Sequence, residues 1–184
     1  RLLLYKLERV PRLPFKETTG INIGDVSFQW WVKTRKDWWM ASNRYTETKQ
    51  LQALIKAVKS NKKSCLWDIG AAQGIYSLTA TAAGAIKVVA FEPFEQSFQA
   101  LVDNVKLNNF TKKVNTLKLA IGKQSGYQRL FFGKACPSMF NDTHEHTSST
   151  RINVSTIDEL IKKGIPSPSI IKIDIEGYEL DALM

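Results

Sequence analysis

Cysteine is scarce. Cys65 and Cys136 are the only two in 184 residues, and such a pair supplies no disulfide framework. Cys65 falls in an apolar stretch and reads as a small buried hydrophobe, Cys136 as an ordinary loop thiol. With no secretory signal in view, this points to a reducing, cytoplasmic setting. Three glycosylation-like triplets, at Asn109, Asn141 and Asn153, weigh little against it. Long apolar runs are missing too: no stretch approaches the roughly eighteen residues of a membrane span. The chain opens on Arg1 and not on methionine, which is compatible with a processed product and a removed leader. Acids are outnumbered, 17 against 26 lysines and arginines, for a net charge of +9. That excess favours anionic partners such as nucleic acid, phosphorylated sugars or an acidic membrane face. Lys56, Lys59, Lys62 and Lys63 on or just past one expected helix make a solvated face the plainer explanation.

What remains is ordinary globular material, 43% hydrophobic and 23% charged, enough for one domain with a substantial core. The stretch from Ser64 to Glu92, SCLWDIGAAQGIYSLTATAAGAIKVVAFE, organises the rest. It predicts a short apolar strand over Cys65 to Ile69, a glycine turn, a helix from about Ile75, and a second strand over Lys87 to Phe91 closed by an acid. That is one βαβ unit. Gly70 and Gly74 have no side chain to keep a ligand from the backbone between strand and helix, and amides at the helix start face that ligand. Asp68 and Glu92 fall at the carboxyl ends of the two strands, where ligands of open parallel sheets collect. An acid roughly twenty residues past the glycines suits a ribose diol.

Two cofactor classes use this layout. A dinucleotide calls for GxGxxG, whereas this chain reads DIGAAQG, with an acid first and three residues between the glycines. An acid there repels pyrophosphate but can accept hydrogen bonds, directly or through water, from the ammonium of S-adenosylmethionine's amino-acid end. Adenosylmethionine is the better fit.

DIGAAQG followed by VVAFEP resembles the first two motifs of class I adenosylmethionine-dependent methyltransferases, and IKIDIEGYELDAL near the end resembles the signature of the FkbM-type family. The ordered set, with VSTIDEL ahead of IDIEG, spans roughly Tyr45 to Met184. The resemblance implies an O-methyltransferase acting on sugar or natural-product hydroxyls. It carries Ala71 and Pro93 into the cofactor site with the two motifs, and brings the segment of Tyr45 and Glu47 toward the cofactor. It also places Ala120 and Ile121 at a strand end that lines the adenine pocket. An acid in the first turn of a helix, as Glu47 would be, is equally favourable to the helix dipole.

Taken in order, residues 1 to 20 mix leucine, arginine and two prolines and read as an extended or briefly helical arm. A strand is expected around Val26 to Val32, then a polar turn. Trp30, Trp31, Trp38 and Trp39 alternate with Lys33, Arg35 and Lys36; such a pattern can stack on sugars or bases, but tryptophans covering a sheet explain it better. Thr46 can cap a helix running to about Ser60, with Leu51, Leu54, Ile55 and Val58 on its core face. Phe94 to Asn109 reads as an amphipathic helix with Phe98, Leu101, Val102 and Val105 inward. Asn115 to Ile121 reads as one strand. Tyr127 to Gly133 is expected to pair antiparallel with the INVST segment as an insertion. The loop between them holds His144, Glu145 and His146, a triplet that without further ligands is better read as solvated than as a metal site. Thr156 and Glu159 have capping-box spacing. Ser169 to Ile175 is a near-continuous apolar strand of the central parallel type, broken by Lys172, which if buried needs a carboxylate partner.

Asp174, Glu176 and Gly177 follow at that strand's end, across the crevice from Gly70 at the topological switch point. Asp174 is expected near the methyl donor, and Asp174 or Glu176 is the candidate base taking the acceptor's proton. Cofactor-orienting or structural roles weigh as much: Glu176 can hold the turn or pair with Lys172. The reading is an α/β, Rossmann-like class I methyltransferase sheet, truncated after its fourth core strand, with an N-terminal extension over 1–44 and the methyltransferase domain over 45–184. The cofactor candidates are Glu47, Asp68, Gly70, Ala71, Gly74, Glu92, Pro93, Ala120 and Asp174; no metal is called for. The acceptor is expected to be a carbohydrate or small molecule. The rivals are an RNA methyltransferase and a non-catalytic module that keeps the fold.

Overall fold

The computed structural model describes residues 17–34, 37–38, 41, 47–133, 146–175 and 177–184. The chain starts with an antiparallel hairpin, β1 (Glu17–Ile23) and β2 (Val26–Val32), turned at Gly24 and Asp25. Alternation does the work: Ile21 and Ile23 of β1 and Val26, Phe28, Trp30 and Val32 of β2 are buried on one face. The arm expected over residues 1 to 20 is therefore already strand from Glu17. Its polar outward residues and central Gly20 hide the period from a sequence reading. Trp30 is 1% exposed, a core residue; Trp39 lies outside the described residues.

Helix α1 (Thr48–Ser60) follows, with Leu51, Leu54, Ile55 and Val58 buried as the spacing predicts. Thr46 lies outside the described residues, and the residue at the cap position, Glu47, makes no side-chain cap hydrogen bond. Then come β3 (Cys65–Ile69), α2 (Ile75–Ala82), β4 (Lys87–Phe91), α3 (Glu95–Leu107), β5 (Val114–Leu117), β6 (Ala120–Ile121), β7 (Gly126–Gly133), β8 (His146–Ser155), α4 (Ile157–Lys162), β9 (Ile170–Ile173) and α5 (Glu179–Leu183). Strands β3, β4, β5 and β9 form a parallel sheet in the order β5-β4-β3-β9. The chain lays its first three parallel strands outward to one side and then returns to the other side of β3, so the order reverses between β3 and β9. This is the Rossmann-like arrangement, and the reversal is where ligands of such sheets bind.

Two expectations need correction. The single strand over Asn115 to Ile121 is broken: β5 stays in the parallel sheet, the Leu119 amide closes a tight turn onto the Leu117 carbonyl at 2.9 Å, and β6 joins β8 of a second sheet, ordered β6-β8-β7. The alternation of Leu117, Leu119 and Ile121 survives because all three pack on one apolar cluster. The final strand is shorter than Ser169 to Ile175 and lies at the sheet's edge among the described residues, with Ile171 44% exposed. The β7–β8 pair is antiparallel as expected, and Thr156 accepts from the Glu159 amide at 3.1 Å, half of the expected capping box.

One face of the parallel sheet, with Leu66, Val88 and Ala90, packs under α1, α2, α3 and the β1–β2 hairpin in one core; the other, with Trp67, Ile69, Val89 and Phe91, packs against Leu160 and Ala182. A buried polar seam stitches the hairpin to this core. Asn104 of α3 accepts from the Trp31 amide (2.9 Å) and donates to the Gln73 carbonyl (3.0 Å). The Gln73 amide group in turn donates to Asp37 (2.6 Å), which also accepts from the Lys33 and Thr34 amides (2.9 and 2.7 Å). Asn108, one turn on, brackets Gln29 with two 2.8 Å bonds at the surface.

Truncating the buried seam should cost far more than truncating its exposed neighbour. Asn104→Ala strands one buried and one part-buried backbone group and is expected to lower stability by about 2–4 kcal/mol, against about 1 kcal/mol or less for Asn108→Ala. Chemical denaturation of the two variants checks this.

Candidate functional site

The turn between β3 and α2 has three residues at positive φ: Gly70 (+75°), Ala72 (+48°) and Gly74 (+99°). Space around both glycines is taken by protein. A Cβ on Gly70 would sit 2.0 Å from the Asp174 carbonyl oxygen, and one on Gly74 would sit 2.6 Å from Leu101 Cδ1. The glycines thus let β9 and α3 close on the turn, a reason different from the ligand clearance expected of them. The turn is tied to β4 as well, since the Gly70 and Ala71 amides both donate to the Phe91 carbonyl (3.0 and 2.9 Å). The amides of Ile75, Tyr76 and Ser77 open α2 and have no helical partner by geometry.

Glu92 is folded into this turn. It is 7% exposed, and its two oxygens accept from the Ala72 and Phe94 amides, each at 2.8 Å. Burial pushes its carboxyl above the usual range, only partly offset by those amides and by the charge of Lys172. Two lone-pair sites of a carboxylate bonded this way remain for other donors.

Asp68 is wholly buried on the α2 side of β3. Ser77 donates to its Oδ2 at 2.6 Å, and its Oδ1 has no hydrogen bond. Charge balance comes from Lys172, whose ammonium lies 3.4 Å from that oxygen and 3.8 Å from Asp174, and donates to the Gly70 carbonyl at 2.8 Å. The partner that a lysine inside this strand requires is therefore found. Asp174 stands at the switch point with its side chain 62% exposed, beyond the hydrogen bond from its amide to the Ile69 carbonyl (3.1 Å).

Beside the turn a hollow of about 570 Å³ runs along the β9 edge, with Glu47, Gln50, Tyr76, Lys172 and Asp174 as its polar members and Leu54 and Ile173 among its apolar ones. Burial, and then the Glu47 carboxylate to which its hydroxyl bonds, push the Tyr76 phenol far above its usual value, so it stays a neutral donor. The Lys172 ammonium lies 5.1 Å from the Tyr76 ring centre.

The structure thus brings Asp68, Gly70, Ala71, Gly74 and Glu92 into one hydrogen-bonded unit, with Asp174 and Glu47 on the rim of the adjoining hollow. Pro93 is half-buried between Glu92 and Phe94. Ala120 instead packs with Leu130, Ile152 and Val154 against Phe94, one element removed. Glu176, Tyr45, Cys136, His144 and Glu145 lie outside the described residues, as does the side chain of His146. Ser77, Gln73 and Tyr76 escaped the sequence reading. Ser77 sits one helical step past the glycines, a spacing that could have flagged it.

Residues 68–184 match the Methyltransferase FkbM domain family. The chain belongs to that family. Similar proteins include the hexuronic acid methyltransferase AglP of Haloferax volcanii, 26% identical over 155 residues, a match covering 83% of this chain and 61% of the relative. The chain thus spans about three fifths of the length of that relative. Among solved structures, methyltransferase FkbM from Methylobacillus flagellatus KT aligns at TM-score 0.47 and 23% identity, over 66% of this chain and 28% of that one. A SAM-dependent methyltransferase from Agrobacterium tumefaciens aligns at TM-score 0.45 and 18% identity, over 60% and 34%. Membership of the FkbM family brings S-adenosylmethionine as cofactor, and the residues fit it. A buried carboxylate oxygen without a hydrogen bond lies beneath the turn, the first amides of α2 stand beside it without helical partners, and Lys172 is ion-paired to Asp68 and Asp174, with Glu47 lining the same hollow as Lys172 and Asp174.

Two measurements test these electrostatics. Lys172→Met leaves Asp68 buried and uncompensated and should lower stability by about 3 kcal/mol; in the double variant with Asp68→Asn the loss should shrink by at least about 1 kcal/mol relative to the sum of the singles. For Glu92, the folded protein holds the proton more tightly than the unfolded chain. Its contribution to stability is therefore largest below the ordinary glutamate value and declines as pH rises from there toward the folded value. The stability advantage of the native chain over Glu92→Gln should be greater near about pH 4 than near about pH 8 in denaturant titrations.

Proposed function

We propose that this chain binds S-adenosylmethionine and directs its methyl group to a hydroxyl of a carbohydrate, with an acidic sugar as the favoured acceptor class. The observation that carries the cofactor half of the reading is charge. In a chain of net charge +9, the switch-point crevice gathers Glu47, Asp68, Glu92 and Asp174 about Lys172, the one cation there among the described residues. Such a field suits a ligand with a sulfonium and an ammonium, and repels phosphates. Support for a sugar acceptor comes from the hexuronic acid methyltransferase relative. The cytoplasmic setting belongs to the same reading, with Cys65 a buried free thiol.

Bound S-adenosylmethionine supplies a methyl carbon activated by its positive sulfur. The chain supplies placement. Asp68 faces the ammonium end from below the turn, the Gly70–Gly74 backbone and Ala71 flank it, and Glu47 with Tyr76 borders it from α1 and α2. Glu92 offers its remaining lone pairs to the ribose hydroxyls, and Pro93 belongs to the adenine side. Asp174, exposed at the switch point, accepts the proton of the acceptor hydroxyl as the new carbon–oxygen bond forms; Glu176 is the alternative for this role. In-line alignment of oxygen, methyl and sulfur is the other requirement.

Calorimetry on the full-length protein should show S-adenosylmethionine binding, weakened roughly tenfold or more by Asp68→Asn or Glu92→Ala. Labelled methyl should appear in uronate-containing oligosaccharides in preference to neutral ones. Absence of cofactor binding would sink the reading, and label appearing in RNA alone would replace the acceptor.

A further inference from the structure

The β7–β8 hairpin has two faces of opposite character. Leu130, Ile152 and Val154 point inward and pack with Ala120 against Phe94. On the outward face, Arg129 and Arg151 are direct partners across the antiparallel ladder, and Tyr127 lies two residues along. All three are exposed. Direct opposition brings the arginine Cβ atoms to about 4.5–5.5 Å, an arrangement in which like charges destabilise a sheet. Among the described residues neither arginine pairs with a carboxylate.

Geometry adds pre-organisation. The Arg151 guanidinium carbon lies 3.6 Å from the centre of the Tyr127 ring, a stacked position that leaves the edge N–H groups of the guanidinium free to donate. Gln128, Ser149 and Thr150 also line a hollow of about 510 Å³ here; of these Ser149 shares the arginine face, while Gln128 and Thr150 alternate to the side of Ile152 and Leu130. This hollow shares no lining residue with the one beside the glycine turn. Two guanidinium forks carried on directly opposed ladder positions can address one carboxylate together, and the hydroxyl of Ser149 on the same face suits a sugar hydroxyl.

We propose that the outward face of the β7–β8 hairpin is a binding site for a carboxylate-bearing sugar, gripped by Arg129 and Arg151 and bordered by Tyr127 and Ser149. Its location outside the crevice makes it a docking point for an acidic glycan. The choice of a sugar over other anions rests on the carbohydrate reading of the acceptor. A nucleic acid fits less well, since two adjacent cations address a single anionic group and not a spaced row of phosphates.

The test is direct binding, without S-adenosylmethionine, of a tetrasaccharide alternating glucuronate and N-acetylglucosamine, compared with neutral chitotetraose and a short single-stranded RNA. The uronate sugar should bind at least about tenfold more tightly than the neutral one, and Arg129→Glu should weaken it by roughly tenfold or more. That substitution turns an opposed like-charge pair into an opposite-charge one, so its melting temperature should equal or exceed that of the native chain; a loss of binding then cannot reflect unfolding. Arg151→Gln should weaken binding in the same direction, and neither change should alter cofactor affinity. Equal binding of the two tetrasaccharides, unchanged uronate binding in Arg129→Glu, or RNA binding that displaces the uronate sugar and is itself lost in Arg129→Glu would each overturn the site. The proposed function fails separately: a protein that methylates no sugar yet binds uronate through these arginines keeps the site. One that methylates uronate sugars with an unchanged KM in Arg129→Glu keeps the function and loses the site.

Discussion

Everything near the crevice depends on one buried charge. Asp68 has no solvent contact, so its ionised form survives only if the surrounding protein supplies what water would. Ser77 does so from α2 and Lys172 from β9. The same lysine donates to the Gly70 carbonyl, and that carbonyl belongs to the turn whose amides are held by β4. A single carboxylate thereby couples the two strands that flank the switch point and the helix that starts beside it. Lys172 emerges as a positioning residue: its charge makes a buried acid tolerable without removing the open coordination of Asp68 Oδ1.

The turn itself is held by close packing. Gly70 and Gly74 occupy positive-φ positions where an added methyl would strike Asp174 and Leu101, so strand β9 and helix α3 approach the turn more closely than any other residue would allow. Glu92 fills the role of a bracket, bonding one amide in the turn and one at the start of α3. The buried seam of Asn104, Gln73 and Asp37 extends this bracing to the β1–β2 hairpin. The hairpin is therefore mechanically continuous with the turn, sharing its core and its hydrogen bonds.

Charge is distributed unevenly over this frame. Among the described residues the crevice is acidic around one lysine, while the β7–β8 hairpin presents outward two arginines without a carboxylate partner. The overall net charge by itself describes neither surface.

Sequence by itself determined the βαβ unit. Cys65–Ile69, Ile75 and Lys87–Phe91 are bounded as their apolar runs and glycines predict, because periodicity and turn chemistry act within a few residues. It also determined the family, through DIGAAQG and IKIDIEG, and the need of Lys172 for an acid. Tertiary structure alone decided which acid that would be, where Asn115 to Ile121 breaks between two sheets, that Glu17 already begins a strand, and that protein fills the space left by Gly70. Each of these depends on what a residue meets across the fold from a segment tens of positions away, and no local pattern records the identity of that neighbour.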